Sequence, residues 1–528
     1  MGAFAQDSIM WSTYLRSSTA AYGSYGCSNG IVTGKAFAPD STGHFQDNHS
    51  VSYDSSFYED YGVARINLEN GNIDTSFCLG GLHNEYVQSV FRTKDGGTLI
   101  TGESDSHDMF IPINNGGVDM WIVKLDSMRN VQWTRSYGGS GGDDALRVLA
   151  ETDDGGFVIA GMCGGNGGDV TNFHGSFNDG WATRLDAQGN LVWQKAVGGS
   201  AYDLFYGGMQ TNDGDFIFCG YTNSIDGDLD TIASHGGFDA SVVKTDSSGN
   251  TLWIKTFGGP LTDVFRSVIE IDSGYVFVGY SASDSDQIAD NFGMTDGLLL
   301  VTDKNGNFLS SRNFGGSGAD DVYCILKPDS FVLLGMLTNS HDSDVVGNHG
   351  GYDVWIVQLD SLYNIRHSKC FGGDMNEYGF ALDMCLLDTP RRDILVCSST
   401  QSSNSGDIDT ENPVGSMWIF RLKNLDSTLV IPDTTVIIDT TLVKVIQDSH
   451  FGITIFPNPT QEQCTIESKT HQSLGQIVLY NQLGIEVFRT ETKESILELN
   501  THLFPAGVYS CKITSDKGIS IVRFVVVR

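Results

Sequence analysis

The chain has 528 residues, with 31 Lys and Arg against 65 Asp and Glu, so its formal net charge is −34. A surface this acidic excludes nucleic acid as a partner, because binding to phosphates needs clustered cations. The sequence also lacks an apolar run of the ~18 residues that a transmembrane helix requires.

The first residues carry a small-x-small pattern, Ala3 and Ala5, that is typical of a signal-peptidase site. The basic and apolar regions that should precede such a site are missing. We interpret residues 1–5 as the remnant of an export signal. The alternative is an accidental Ala-x-Ala.

A Gly-Gly doublet recurs every 57 to 60 residues, at 80/81, 138/139, 198/199, 258/259, 315/316 and 372/373. Four residues after the second glycine there is always a carboxylate: Glu85, Asp143, Asp203, Asp263, Asp320 and Glu377. A fixed period of this length predicts that one supersecondary unit is repeated and stacked.

Each repeat contains four short apolar segments joined by turn sequences, without helical periodicity. In the unit at 191–257, for example, residues 212–214 read Asn-Asp-Gly, which indicates a hairpin. Four strands per unit are typical of one propeller blade. The eight tryptophans keep the register of the repeat, and we interpret them as packing residues between blades.

Counting the repeated strands predicts an all-β chain with a seven-bladed β-propeller of four-stranded blades over residues 6–425. The N-terminal strand near residues 10–14 is expected to close the ring by pairing with the last blade, which protects the sheet edges. A competing closure uses residues 428–431. Six or eight blades remain open, because the first unit is degenerate and carries an insertion at 39–58. The region resembles the Gly-Gly/Trp propeller repeats of large secreted bacterial surface proteins.

The long loops of the repeat are acidic, with an Asp-x-Asp pair followed about ten residues later by an aspartate at the start of the next strand. Alternating aspartates can point two carboxylates the same way, and Ca²⁺ prefers oxygen ligands. The predicted calcium ligands are Asp226, Asp228 and Asp239, then Asp284, Asp286 and Asp296, then Asp342, Asp344 and Asp353. The alternative is a set of solvated turns. No other cofactor is predicted to be required.

The Gly-Gly doublet and its acid occur in six units, which favours a structural role over a catalytic one. We expect the doublet to adopt a turn with positive φ and the acid to cap backbone amides. Nucleophile-elbow, zinc-protease and P-loop motifs are missing. No catalytic residue is therefore predicted.

The repeat ends near residue 425. Residues 426–450 form a linker rich in Thr and Asp, and residues 451–528 contain seven short predicted strands. That density of strands predicts a small Ig-like β-sandwich.

Three motifs follow one another in this last segment: Phe-Pro-Asn-Pro-Thr at 456–460, Leu-Tyr-Asn-Gln-Leu-Gly at 479–484, and Leu-Phe-Pro-Ala-Gly-Val-Tyr at 503–509, before the final Arg528. The segment resembles the type A C-terminal sorting domain of type IX secretion. That resemblance implies a sorting signal made of Pro457, Asn458, Pro459, Tyr480, Asn481, Gly484, Gly507, Tyr509 and Arg528.

The resemblance also implies Sec export, contact with the type IX machinery, and release or attachment at the cell surface after cleavage in the linker. Cys464 and Cys511 occupy presumed inward-facing strand positions, and a disulfide between them is predicted for this oxidising route. Two separate buried thiols are the alternative.

These observations predict an exported, non-enzymatic propeller that acts as a binding or adhesion module for glycan, protein or matrix. A second interpretation is an extracellular polymer-degrading hydrolase or lyase with carboxylates in the propeller channel. A third is a structural surface-layer component. The ligand is expected where the units differ, in the long loops and in the insertion at 39–58.

Overall fold

The computed structural model divides the chain into two compact units, Met1–Thr428 and Leu429–Arg528. It describes residues 9–15, 24–28, 30–37, 59–108, 110–111, 113–232, 234–284, 287–288, 291–328, 331–377, 382–387, 393–409, 416–423, 453–456, 463–468, 473–480, 486–501, 507–515 and 518–526. The insertion at 39–58 and the linker at 426–450 lie outside the described residues.

The described residues of the first unit form seven four-stranded antiparallel sheets, numbered here along the chain. Sheets 1 to 3 comprise β2 (Ser24–Ser28), β3 (Ile31–Phe37), β4 (Glu59–Ile66) and β5 (Ile73–Leu79); β6 (Glu85–Arg92), β7 (Thr98–Ser104), β8 (Asp119–Leu125) and β9 (Val131–Tyr137); and β10 (Asp144–Glu151), β11 (Phe157–Cys163), β12 (Asp179–Leu185) and β13 (Leu191–Val197). A 3₁₀ turn lies at Gly227–Leu229, in the loop between the second and third strands of sheet 4.

Sheets 4 to 6 repeat the same plan. They comprise β14 (Asp203–Gln210), β15 (Phe216–Thr222), β16 (Asp239–Thr245) and β17 (Thr251–Phe257); β18 (Asp263–Ile271), β19 (Gly274–Ser281), β20 (Asp296–Asp303) and β21 (Phe308–Phe314); and β22 (Asp320–Leu326), β23 (Val332–Thr338), β24 (Asp353–Leu359) and β25 (Ile365–Phe371). Sheet 7 comprises β26 (Asp383–Leu386), β27 (Ile394–Thr400), β28 (Ser416–Leu422) and the N-terminal β1 (Ile9–Leu15).

The N-terminal strand is the fourth strand of sheet 7, where β1 pairs antiparallel with β28. This is the pairing expected from the sequence, and the competing strand at 428–431 lies outside the described residues. The first strand of each sheet contacts the first strand of the next, and β26 contacts β2. The seven sheets are consistent with a propeller.

Burial follows the position of each strand in its sheet. The third strands, such as β8 and β16, are buried along their whole length, whereas the fourth strands begin exposed. Apolar clusters join neighbouring sheets, and one of them joins Leu15 and Cys397 of sheet 7 to Val32 of sheet 1. Each sheet therefore buries its faces against its neighbours, as stacked repeats must.

The tryptophans of the fourth strands contact the turn glycines of the following sheet. Gly249 has a φ of 84° in the turn after β16, and a Cβ there would lie 2.9 Å from the Trp193 ring. Gly189 bears the same relation to Trp133, and Gly306 to Trp253. The turn requires glycine for both its backbone conformation and this close contact.

The second unit contains two antiparallel sheets. One comprises β29 (Ile453–Phe456), β30 (Gln463–Ser468) and β33 (Ile496–Asn500); the other comprises β31 (Gly475–Tyr480), β32 (Glu486–Thr492), β34 (Gly507–Ser515) and β35 (Gly518–Val526). Side chains from both sheets, such as Ile466 and Leu479, belong to one buried cluster. Among the described residues of the chain, no helix is long and apolar enough to cross a membrane.

Candidate functional site

Each Gly-Gly doublet lies between two consecutive sheets, and the acid that follows it caps the doublet. The Gly139 amide donates to Asp143 Oδ2 at 2.8 Å. The same bond recurs from Gly81 to Glu85, Gly199 to Asp203, Gly259 to Asp263, Gly316 to Asp320 and Gly373 to Glu377. The prediction that this acid caps a backbone amide is confirmed.

The sequence expectation of a positive φ at the first glycine holds at only two of the six doublets. Gly258 and Gly315 have φ of 157° and 158°, whereas Gly138 and Gly198 do not have positive φ. A Cβ at Gly138 would instead lie 2.5 Å from Asp119 Oδ1 and 2.8 Å from Asp143 Oδ2. Glycine is needed there because two carboxylates occupy the space that a side chain would fill.

The second carboxylate of each pair comes from the start of the third strand of the preceding sheet. These strand-start aspartates are Asp60, Asp119, Asp179, Asp239, Asp296 and Asp353, and all are at most 2 % exposed. In sheet 7 the position is held by Ser416. We call the six pairs the junction carboxylates.

Several of the junction carboxylates have raised pKa values. Burial, with a contribution from the charge of Asp60, raises the pKa of Glu85 to about 8. Burial likewise raises the pKa of Asp143 to about 6 and the pKa of Asp296 to about 7, and the neighbouring acid adds to both shifts. A proton on one acid of a pair relieves the repulsion, as in other carboxylate pairs that share a site.

One oxygen of the strand-start aspartates is left without a hydrogen-bond partner. Asp119 Oδ2 accepts the Asn115 amide at 2.6 Å, and Asp179 Oδ2 accepts the His174 amide at 2.9 Å. The Oδ1 atoms of Asp119, Asp179, Asp239, Asp296 and Asp353 are buried and have none. This acceptor is the atom that faces the doublet glycine.

Sequence reasoning missed the hydroxyls that hold the doublet acid. Ser281 and Ser283, at the end of β19, both donate to Asp263. Equivalent bonds run from Ser104 to Glu85, from Thr222 and Ser224 to Asp203, from Ser340 to Asp320 and from Thr400 to Glu377. The signal was a recurring Ser/Thr-x-Ser at the end of the second strand. These bonds make the junctions part of the scaffold.

The structure regroups the predicted calcium ligands. Asp226 Oδ1 accepts from the Ser200 amide at 2.6 Å, and the Asp228 amide donates to Gly198 O at 2.9 Å. This pair of aspartates therefore lies at the doublet of Gly198 and Gly199. Asp239 lies at the following doublet, where its Oδ1 faces Gly258. The trio predicted within one loop is therefore divided between two junctions.

The later loop behaves in the same way. Asp342 Oδ1 accepts from the Ser317 amide, and the Asp344 amide donates to Gly315 O at the doublet where Asp296 lies. Asp353, by contrast, lies at Gly372. Asp284 is exposed, and Asp286 lies outside the described residues. Among the described residues, no group of three or more His, Cys, Asp or Glu side chains is arranged to hold a metal ion.

Calcium binding by the acidic loops stays a prediction. If Ca²⁺ binds the folded chain, thermal unfolding should shift to higher temperature with millimolar Ca²⁺ relative to a chelator, because a ligand of the native state stabilises it. Mg²⁺ at the same concentration is the control for ionic strength. Identical melting curves in Ca²⁺ and chelator would contradict the prediction.

The first strands differ from sheet to sheet at the positions one and three residues after the doublet acid. These positions hold Tyr86 and Gln88, Leu204 and Tyr206, Val264 and Arg266, and Asp321 and Tyr323, and the residues that follow the second acid are Asp144 and Arg147. In the third sheet the spacing is one and four, counted from Asp143. Side chains that break the repeat in this way are the better candidates for a specific function.

An array of aromatic rings extends over sheets 3 and 4. The ring centroids of Phe177 and Tyr202 are 4.3 Å apart, and those of Tyr202 and Phe238 are 6.5 Å apart. The array continues from Phe238 to Tyr221 at 5.1 Å and from Tyr221 to Tyr206 at 5.8 Å. Phe177 and Tyr202 are 44 % and 40 % exposed. We call these five residues the aromatic band.

The band ends at a guanidinium group enclosed by tyrosines. Arg266 Cζ lies 4.9 Å from the Tyr206 ring centroid, 5.4 Å from that of Tyr280 and 4.2 Å from that of Tyr323. Such contacts between a cation and aromatic faces stabilise the charge. The Arg266 charge also opposes the rise that burial causes in the pKa of Asp321. The site thus combines apolar ring faces, phenol hydroxyls, a cation and a carboxylate.

A second cluster, formed by residues of first and second strands, is acidic. Asp144 is 2 % exposed; its Oδ2 accepts from Gln88 Nε2 at 3.0 Å, and its Oδ1 has no partner. Burial raises the pKa of Asp144 well above its ordinary value, and the charge of Glu103 adds to the shift. A carboxyl group whose pKa is raised by burial and by a second carboxyl group has the chemistry of a general acid.

Asp383 in β26 binds two other sheets. Its Oδ1 accepts from Arg147 Nη2 of sheet 3 at 3.2 Å, and its Oδ2 accepts from the Cys27 amide of sheet 1 at 3.0 Å. Asp383 is only 6 % exposed. One carboxylate therefore connects the first strands of three sheets.

Replacing this carboxylate should loosen the first unit. We expect Asp383→Ala to lower its unfolding free energy by about 1–3 kcal/mol, because a partly buried cation and a buried amide lose their acceptor. Asp383→Asn keeps one acceptor and should lose less. Urea unfolding followed by tryptophan fluorescence measures both, and equal midpoints for Asp383→Ala and the wild type would show that the bridge contributes nothing.

In the second unit, Tyr509 is buried in the core, Tyr480 ends β31 and Gly507 begins β34. The other residues of the predicted sorting signal, Pro457, Asn458, Pro459, Asn481, Gly484 and Arg528, lie outside the described residues. Cys464 and Cys511 belong to the same buried cluster and are thiols in the structure. Their disulfide stays a prediction.

The second unit is similar to a known family of domains. Residues 454–528 match the family model described as "Secretion system C-terminal sorting domain". This sorting domain indicates export by type IX secretion to the cell surface or extracellular space. The sorting domain also implies interaction with the secretion machinery.

Solved structures are similar at low identity. PorZ, a bacterial surface component of the type IX secretion system of Porphyromonas gingivalis, has 10 % identity and a TM-score of 0.27, with 99 % of this chain and 75 % of that chain covered. Sqt1 from Chaetomium thermophilum has 9 % identity and a TM-score of 0.41 over 79 % and 98 % of the chains. The Bombyx mori GH32 β-fructofuranosidase BmSUC1 has 10 % identity and a TM-score of 0.27 over 70 % and 84 %. No curated protein matches the sequence.

Proposed function

We propose that this chain is an exported binding protein whose first unit takes up a glycan along the aromatic band. Pyranose rings present C–H faces that stack on aromatic rings, and their hydroxyls bond to phenols, guanidinium groups and carboxylates. The observation that carries the proposal is the continuous series of rings from exposed Phe177 and Tyr202 to Arg266.

The architecture proposed for the first unit is a closed seven-bladed propeller, with the first strands around the channel. The pairing of β1 with β28, the contact of β26 with β2 and the apolar cluster shared by sheets 7 and 1 support it. In this arrangement Arg266 and Asp144 line the channel. The second unit is proposed to be an Ig-like sandwich, which is supported by its two sheets around one core.

The length of the band suits a chain of sugars better than a single one. Consecutive rings lie 4.3 to 6.5 Å apart, so several of them can meet one extended ligand. The net charge of −34 disfavours strongly acidic polysaccharides, because most of the surface repels them. A neutral or basic polysaccharide is the expected class.

A glycan array probed with the full chain tests this proposal, followed by titration of the best ligand. Tyr202→Ala should weaken binding by about tenfold, which corresponds to about 1.4 kcal/mol. The matched control is Phe292→Ala, because Phe292 is 47 % exposed and is not part of the band. If a glycan binds equally to both variants, the band is not the site; if no glycan binds, the ligand class is wrong.

A second candidate function is hydrolysis or lysis of an extracellular polymer. The observation that favours it is the buried Asp144 with an unpartnered Oδ1 beside Glu103. Asp144 would act as the acid and Glu103 as the charged partner, as in enzymes with paired carboxylates. The test is an assay for reducing ends released from neutral polysaccharides. If Asp144→Asn abolishes this release and Asp321→Asn does not, the result supports this function over simple binding.

A further inference from the structure

Three cysteines meet where the last sheet adjoins the first. Cys27 lies in β2, and Cys385 and Cys397 lie in β26 and β27. Cys27 Sγ lies 3.3 Å from Cys385 Sγ, although the two residues are 358 positions apart in the sequence. Sequence spacing gave no sign of this contact.

Hydrogen bonds from the Cys27 amide and thiol hold the two sulfur atoms close together. The Cys27 amide donates to Asp383 Oδ2 at 3.0 Å, and Asp383 precedes Cys385 by two residues on the same strand. The Cys27 thiol also donates to Leu395 O, opposite Cys385 in β27, at 3.6 Å. Both strands are thus fixed in register with the sulfur atoms adjacent.

The environment of the exported chain is oxidising. Type IX export carries it through the periplasm to the cell surface or extracellular space, where disulfides form and persist. The two sulfur atoms need to approach by little more than 1 Å to reach the bonding distance of about 2.05 Å. We propose that Cys27 and Cys385 form a disulfide in the exported protein, which links sheet 1 covalently to sheet 7.

The reaction is thiol–disulfide exchange with a disulfide-bearing thiol oxidase of the periplasm. Cys385 is the more exposed of the two, so its thiolate attacks the oxidant and forms a mixed disulfide, releasing one oxidant thiolate. The Cys27 thiolate then attacks Cys385 Sγ and releases the second. The two cysteines lose two electrons and two protons in total, and the oxidant disulfide becomes two thiols.

Cys397 is the competing partner, since it also approaches Cys27 and influences the ionisation of its thiol. Burial raises the pKa of Cys27 well above its ordinary value, which makes exchange slow once the strands have packed. The bond is therefore expected to form before the strands finish packing and to resist mild reductants afterwards. A covalent link at this junction would fasten β26 directly to β2, whose contact is otherwise noncovalent.

Mass spectrometry of the full chain isolated from the medium or cell surface tests the pairing. Thiols are blocked with iodoacetamide in denaturant, and peptides are separated without reduction. The expected product is a peptide pair linking Cys27 to Cys385, with Cys163 and Cys219 alkylated. Alkylation of both Cys27 and Cys385, or a link from Cys27 to Cys397, would overturn the proposal.

Thermal unfolding with a phosphine reductant gives an independent measurement. Reduction should lower the first-unit melting temperature of the wild type by about 5 °C. The Cys385→Ser variant should already melt lower and should not respond. Cys370→Ser, which removes a buried thiol of sheet 6, is the control and should respond like the wild type. If reduction lowers the melting temperature of Cys385→Ser as much as that of the wild type, the effect comes from another disulfide. This inference depends on export and is independent of glycan binding.

Discussion

Replacing Gly138 with alanine should lower the unfolding free energy by about 3 kcal/mol, because the new methyl group overpacks a buried site. The Cβ would lie 2.5 Å from Asp119 Oδ1 and 2.8 Å from Asp143 Oδ2, both too short for real contacts. Both carboxylates are held by backbone amides, so neither can move away without losing a hydrogen bond. The steric strain and the loss of a capping hydrogen bond therefore both lower the unfolding free energy.

The same loop supplies a matched control. Gly142 is four residues further on, does not have positive φ, and a Cβ there meets no atom within 4 Å. Gly142→Ala should change stability by no more than about 0.5 kcal/mol, or stabilise slightly by restricting the unfolded chain.

Urea unfolding monitored by tryptophan fluorescence compares the two variants, and the midpoint is the appropriate quantity because seven sheets need not unfold in one step. A Gly198→Ala variant extends the test to the next junction, where the Cβ would lie 2.6 Å from both Asp179 Oδ1 and Asp203 Oδ2. Equal midpoints for Gly138→Ala and Gly142→Ala would refute the steric role of the doublet.

The repeat made much of the first unit predictable. The spacing of the doublets anticipated seven four-stranded sheets, and the unpaired strand around Trp11 anticipated the pairing of β1 with β28. These features are predictable because local turn sequences and strand alternation recur six times, so an error in one unit is corrected by the others. The cap on Gly139 followed from the same repetition.

The grouping of the acidic loops was not predictable. Asp228 and Asp239 are 11 positions apart in the same loop but lie at different junctions, because the loop spans from one doublet to the next. Contacts between sheets join residues that are about one repeat apart or, for Cys27 and Cys385, nearly the whole unit apart. One sequence shows periodicity, but it does not show which side chains of neighbouring repeats face each other.

The aromatic band escaped prediction for a related reason. Its residues occupy different repeat positions: Tyr206 is on a first strand, Tyr221 is on a second strand and Phe238 precedes a third. A search for repeated residues discards them. The same asymmetry makes them candidates for binding, since a ligand that meets one side of the sheets selects side chains on that side only.

We expect the first unit to be most stable near pH 5 and to lose stability as the pH rises to 8. Several junction carboxylates have raised pKa values in the folded chain: about 6 for Asp119 and Asp143, about 7 for Asp296 and Glu377, and about 8 for Glu85. In the unfolded chain the same groups ionise near pH 4. Between these values the folded state binds more protons, so stability rises as the pH falls.

Exposed turn aspartates set the acid limit of this range. The pKa of Asp246 is lowered by hydrogen bonds from the Asn250 side chain and from backbone amides, and Asp126 and Asp186 are held in the same way. Their contribution to stability is present above their ordinary pKa and is lost as the pH falls below about 4. The two sets together place the maximum at mildly acidic pH.

Melting temperatures from pH 3 to pH 9 at constant ionic strength measure the profile, and we expect a rise of about 5 °C between pH 8 and pH 5. Asp296→Asn should melt higher than the wild type at pH 8 and close to it at pH 5. Its amide has no charge, its oxygen can still accept the Phe292 amide, and its –NH₂ group can donate toward Asp320.

Asp246→Asn is the matched control, because it removes one negative charge from an exposed turn rather than from a junction. It should shift the melting temperature little and equally at pH 5 and pH 8. A wild-type profile that is flat or rises from pH 5 to pH 8 would mean that the junction carboxylates ionise without cost. In that case a bound cation, rather than a proton, would be the agent that neutralises each pair, and the calcium prediction would gain from the same measurement.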